Sequence, residues 1–190
     1  MLGGQGTQQW TLRGILRATM PVLLVLTIVA VGSGLVLGGF EDALYEHPSL
    51  LILVPVTIGT AGSLGSLLAS RLSTAFHLGT LSFSLDNEDL VGHTLATVLL
   101  ALSVFPIVGV GAWAIVAGTV GSELGLTTVL TIATGSGAAL SVLTVAVTLA
   151  TTYGAYVLGL DPDDVVIPVV TVTCDVLGVV ALYVMVTLFA

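Results

Sequence analysis

The sequence predicts an all-α integral membrane protein of five transmembrane helices, on three observations. Hydrophobic residues make up 56% of the 190-residue chain and charged residues 7%, with a mean hydropathy of +1.16. A soluble domain carries about 25% charged residues, so this chain has too little polar surface to cover a water-soluble globule. Next, the apolar residues fall into five runs, each long enough for the roughly 20 residues that span a bilayer as a helix. Finally, glycine and proline recur inside the runs, among them Gly59, Gly62, Pro106, Gly135, Pro168 and Gly178. They would ruin the roughly ten-residue alternating strands of a membrane barrel but are tolerated in packed helices.

The first run, near residues 18–40, follows Arg13 and Arg17. It is too long for the apolar region of a signal peptide and reads as a retained span. That leaves 1–17 as a short cytoplasmic N-terminal segment and 18–190 as the transmembrane domain. The remaining spans are placed near 49–72, 90–118, 126–153 and 165–190, where the other apolar runs lie. Arg13 and Arg17 put the N-terminus in the cytoplasm; the loops at 41–48 and 119–125 and the C-terminus then lie outside. The loops at 73–89 and 154–164 lie inside, and Arg71 falls on the same cytoplasmic side. The expected location is the cell membrane, crossed several times.

Two inner loops carry helix-start signals. SLDNEDL (84–90) offers Ser84 or Asp86 as N-cap of span three, and LDPDDVVIP (160–168) offers Asp161 or Asp163 for span five with Asp164 in its first turn. Capping explains these acids; an acidic mouth of Asp161, Asp163 and Asp164 that gathers cations at the inner end of a pore is the functional alternative.

There is no lysine, and three arginines face eleven acids for a net charge of -8. A nucleic-acid-binding face is excluded; the bilayer is the partner the composition names. Ten acids sit in loops or segment edges: Glu41, Asp42, Glu46, Asp86, Glu88, Asp89, Glu123, Asp161, Asp163 and Asp164. Such loops suit cation handling, and equally an acidic surface adapted to a salty cytoplasm. Cys174 is the sole cysteine, so no intrachain disulfide forms.

The eleventh acid is Asp175, inside VVTVTCDVLGVV (169–180). A carboxylate at that depth costs about 2.5–3.5 kcal/mol on insertion scales, so it is either paired or used. Pro168, Thr171, Asp175 and Gly178 recur at spacings of three, four and three and share one helical stripe. Pro168 also frees a backbone carbonyl near Asp164. A carbonyl, a hydroxyl and a carboxylate form an all-oxygen set, which hard divalent cations require. In span two, Gly59, Gly62, Ser63, Ser66 and Ser70 share a face. Close helix packing explains a small-residue ladder; the sharper reading brings backbone carbonyls and the Ser63 hydroxyl to an ion beside Asp175. Arg71 ends this run, either snorkelling to the interface or paired with an acidic loop.

GLDPDDVVIPVVTVTCDVLG (159–178) resembles the last-helix signature of the MgtE family of magnesium channels and transporters and of its eukaryotic solute-carrier relatives. PVTIGTAGSLGSLLASRLST (55–74) is similar to that family's Pro-x-x-x-Gly-x-x-Gly-Asn segment, its ASRLST ending being closest to the solute-carrier branch. The likeness covers essentially the whole chain. It implies a two-fold dimer with the pore at the subunit interface, lined by spans two and five, and Mg²⁺ as the transported ion. Asp175 matches the family's pore aspartate, and Gly59 and Gly62 its pore glycines. The expected ion-binding set is therefore Asp175, Ser63, Thr171 and Gly59, with Gly62, Ser66, Pro168 and Gly178 lining the pore. Two departures stand out: Ser63 replaces the family's asparagine, and with only some 17 residues before span one the cytoplasmic sensor domains are expected to be missing. A half-transporter of this kind pairs with itself or with a sister chain.

The chemistry agrees. Mg²⁺ wants octahedral oxygens at about 2.0–2.1 Å, keeps several waters and is held by one or two carboxylates. One aspartate per chain, doubled by two-fold symmetry, supplies two. A Na⁺- or H⁺-coupled antiporter sharing Asp175, and a non-conducting subunit of a sister transporter suggested by Ser63, are the other readings. An enzyme is not expected: His47, His77 and His93 sit at segment ends, and neither a HExxH run nor a serine nucleophile elbow is present.

Overall fold

Each of the five apolar runs folds as one long helix. The structure, a computed structural model, describes residues 12–39, 41–84, 86–119, 121 and 124–190. Its helices are α1 (Leu12–Gly38), α2 (Glu41–Glu46), α3 (Pro48–His77), α4 (Glu88–Thr119), α5 (Leu126–Leu158) and α6 (Pro162–Phe189). All but α2 are long and apolar enough to cross a membrane, and no strand occurs among the described residues. The protein is a multi-pass membrane protein.

The helix ends follow local chemistry and correct several expected boundaries. Pro48 and Pro162 open α3 and α6, where a missing N–H costs nothing and the fixed φ suits the first turn. α6 thus starts three residues earlier than the apolar run suggests. Asp161 caps it, accepting from the Asp163 N–H at 3.0 Å. α5 runs on to Leu158 and stops at Gly159, whose left-handed φ of 64° lets its N–H return to the carbonyls of Ala155 and Tyr156. α3 continues to His77 and α1 begins at Leu12, which puts Arg13 and Arg17 inside the helix. The 41–48 connection contains α2. Residues 1–11 of the N-terminal segment, and Glu123, lie outside the described residues.

The cap of α4 is neither Ser84 nor Asp86. Asn87 takes that place: its Oδ1 accepts from the Leu90 N–H at 2.8 Å, while its amide donates to the Thr80 carbonyl and the Ser82 hydroxyl at 3.0 and 2.9 Å. Ser84 instead accepts from the Asp86 N–H. Asn87→Ala should therefore lower stability by about 1 kcal/mol, read as a drop in the thermal unfolding midpoint, whereas Asp86→Ala should leave it unchanged.

α3, α5 and α6 form the centre of the bundle, with α4 against α3 and α5, and α1 packed chiefly on α6. α3 and α6 run antiparallel: Gly178 lies against Ile58 and Ala61, Gly62 against Asp175, and Gly65 against Val170 and Cys174. One half of the core, towards the start of α3 and the end of α6, gathers Leu50, Leu53, Val129, Ile132 and Leu182, and the other half Phe105, Leu140, Val166 and Val170. Phe105 of α4 is fully buried, its ring seated where a side chain at Gly137 would be. Large apolar residues such as Leu24, Ile28, Ile107 and Leu188 point outward, as lipid-facing positions do.

Candidate cation site

Counting along the helices, Gly62 is the fifteenth of the 30 residues of α3 and Asp175 the fourteenth of the 28 of α6. The carboxyl of Asp175 therefore sits at mid-height of the bundle, against Gly62 of α3, where a missing side chain makes room. A Cβ at position 62 would collide with Asp175 Oδ1 and come within 3.2 Å of its Cγ and 3.4 Å of Thr171 Cγ2. Gly65, one turn further along α3, admits Val170 and Cys174 of α6 and the Thr144 methyl of α5 in the same way. The two glycines draw α6 close enough to α3 for the carboxylate to lie on the α3 backbone.

Asp175 is half-buried, and among the described residues no hydrogen-bond donor or cation reaches its carboxylate. Its neighbours are occupied elsewhere. The Thr171 hydroxyl donates to the Ile167 carbonyl at 2.8 Å. Cys174, the adjacent residue, turns inward and its thiol donates to Thr144 Oγ1 at 3.4 Å. Thr144, Thr148 and Thr152 continue a buried row on α5, the last two donating to the carbonyl four residues back at 2.7 Å.

The small-residue face of α3 divides. Gly62 is buried against α6; Gly59 and Ser63 turn outward, Ser66 is half-buried and Ser70 exposed. Gly59 and Ser63 line an open groove of about 450 Å³ with Pro55, Val56, Thr60, Leu64 and Leu67. The Ser63 hydroxyl donates to the Gly59 carbonyl at 2.7 Å and the Ser66 hydroxyl to the Ser63 carbonyl at 3.1 Å, so both present oxygen lone pairs outward. Of the residues expected on α6, Pro168 is half-buried and Gly178 buried in the α3–α6 contact. The chain thus brings Asp175, Gly62 and Thr171 together and sets Gly59 and Ser63 on the neighbouring surface.

Where α3 ends and α6 begins, Asp161 and Asp163 converge with Ser73 and His77. The Ser73 hydroxyl, buried at the end of α3, donates to Asp163 Oδ1 at 2.6 Å. His77 Nε2 lies 3.6 Å from Asp161 Oδ1, and its Nδ1 is 2.9 Å from the Ser73 carbonyl. His77, Asp161 and Asp163 can bring three ligand atoms within 4.8 Å of one another; Asp164 stands exposed beside them. The serine and histidine stand four residues apart on a helix that outlasts its apolar run, and only that spacing hints at the cluster. Ser73→Ala should cost about 1–2 kcal/mol, since it strips a charged acceptor of its donor, and thermal unfolding of the purified chain would read it. Arg71 has no acid within 4 Å among the described residues, so its ion-pairing option is not realised there.

The MgtE family model, described as a divalent cation transporter, matches residues 54–185. The match runs from α3 into α6, covers well over half of the chain, and includes Gly62, Thr171 and Asp175. No curated protein is similar enough to this chain to count as a match.

Proposed function

Because this chain belongs to the MgtE family of divalent cation transporters, we propose that it moves Mg²⁺ across the membrane, with Asp175 as the ion-binding carboxylate. One observation carries the reading: a half-buried carboxyl at mid-height of the bundle has no donor or counter-cation among the described residues. Leaving it charged and unpaired costs several kcal/mol, and a hydrated divalent cation removes that cost. In this reading α3 and α6 line the route. Asp175 meets the ion, the Ser63 and Thr171 hydroxyl oxygens and the Gly59 carbonyl face its water shell, and Gly62, Ser66, Pro168 and Gly178 shape the wall.

One carboxylate and neutral oxygens hold a hydrated ion loosely enough to release it, which conduction requires. The outward groove beside Gly59 and Ser63 supports a second protomer there, identical or a sister chain, which would double the carboxylates. The basic residues Arg13, Arg17 and Arg71 support a cytoplasmic N-terminus and, across five spans, an outer C-terminus. His77, Asp161 and Asp163 then stand with Asp164 at the cytoplasmic mouth.

The test is flux into liposomes that contain the purified chain alone and a magnesium-sensitive dye. Uptake down a Mg²⁺ gradient, unchanged when opposing Na⁺ and proton gradients are collapsed, is expected. Uptake that vanishes with either gradient would identify a coupled antiporter sharing Asp175. No uptake would make the chain a non-conducting subunit, the reading that the replacement of the family's asparagine by Ser63 favours.

A further inference from the structure

A cleft of about 180 Å³ opens sideways between α3 and α4, lined by Leu67, Arg71, His93, Ala96, Thr97 and Leu100. It stands apart from the Asp175 site and has the opposite electrostatic character. Arg71 is the only basic residue in the chain beyond α1. Neither its guanidinium nor the His93 ring has a hydrogen-bond or ion-pair partner among the described residues. The Thr97 hydroxyl is committed to the His93 carbonyl at 2.9 Å, and no carboxylate lines the cleft; Glu88 and Asp89 lie exposed in the turn beyond it.

Depth identifies the occupant. Arg71 is nine residues from Gly62 on α3, about 13–14 Å along the axis at 1.5 Å per residue. Half the hydrocarbon thickness is about 15 Å, so with Gly62 near the midplane the guanidinium reaches the level of the glycerol and phosphate groups. Apolar Leu67, Ala96 and Leu100 form the rest of the wall, which suits acyl chains. A zwitterionic headgroup would find no acid in the cleft for its ammonium, whereas a net-negative headgroup needs none. We propose that this cleft is a binding site for an anionic phospholipid, whose phosphate is held by Arg71 with His93 beside it while its chains lie along α3 and α4. A basic pocket between helices at the membrane edge is the usual form of such a site. In a chain of net charge -8, it gives an anionic lipid a defined place on a surface that otherwise repels it.

The experiment is native mass spectrometry of the full chain in detergent, with phosphatidylglycerol and phosphatidylcholine supplied at equal concentration. Wild-type protein is expected to retain phosphatidylglycerol preferentially. Arg71→Gln should lower that retention about fivefold, the worth of one basic residue near an anionic surface, with phosphatidylcholine retention unchanged and Arg71→Lys largely restoring it. Arg71 is exposed, and an unchanged thermal unfolding midpoint with equal phosphatidylcholine retention in all variants checks that the fold is kept. Equal phosphatidylglycerol retention in wild type and Arg71→Gln would overturn the proposal. So would the absence of a phosphatidylglycerol preference, as when a second protomer covers the cleft, and so would complete displacement by millimolar inorganic phosphate, which would make the site one for a soluble anion.

Discussion

Asp175→Asn is expected to reduce Mg²⁺ uptake into liposomes to that of protein-free vesicles while leaving the fold intact. The swap keeps the side chain's size, so the seat against Gly62 and Thr171 is undisturbed. What it removes is the charge. A neutral amide oxygen offers a hydrated divalent cation far less than a carboxylate does, and no other acid stands at that height among the described residues to take over. Stability should move the other way, since an intramembrane aspartate costs about 2.5–3.5 kcal/mol on insertion scales. The thermal midpoint of the variant should equal or exceed that of the native chain. This separates an ion-binding role from a packing one: a structural carboxyl would give a less stable protein, a functional one a stable and silent one. Uptake at the native rate would end the assignment.

The second large effect concerns the α3 glycines. Gly62→Val puts branched carbon where Asp175 Oδ1 now lies and against Thr171 Cγ2, on a helix whose backbone cannot retreat without opening the core around Ala61, Leu64 and Val170. Overpacking of this kind costs about 1–3 kcal/mol, and the displaced carboxyl should take transport with it. Gly59→Val is the informative contrast, because a Cβ there meets nothing within 4 Å. Its stability should match the native chain. A fall in flux with that stability retained would show that the outward groove belongs to the ion's route or to a protomer contact; native flux would separate the groove from both.

The five spans were legible because apolar runs of this length have one outcome in a bilayer, and Asp175 was legible because a charge inside such a run is costly. The resemblance carried by GLDPDDVVIPVVTVTCDVLG and the span-two segment pointed to the family before any coordinates. Less could be read of how the helices turn toward each other. Periodicity places Gly59, Gly62 and Ser63 on one side of α3, yet the packed helix sends Gly62 to α6 and the other two outward, because facing is settled by partners far away in sequence. The same holds for Ser73 and His77, which meet Asp161 and Asp163 only once α6 folds back along α3. Asn87 prevailed over Ser84 and Asp86 because its amide also donates to Thr80 and Ser82, a bond network that no capping preference encodes.

The lone principal neighbour of α1 is α6, and that has a mechanical consequence. A helix of 27 residues that is little covered by the rest of the bundle is free to answer a change in bilayer thickness by tilting. The lever it tilts against is the helix that bears Asp175. Any tilt of α1 therefore bears first on the segment whose angle sets the distance between that carboxyl and the α3 backbone.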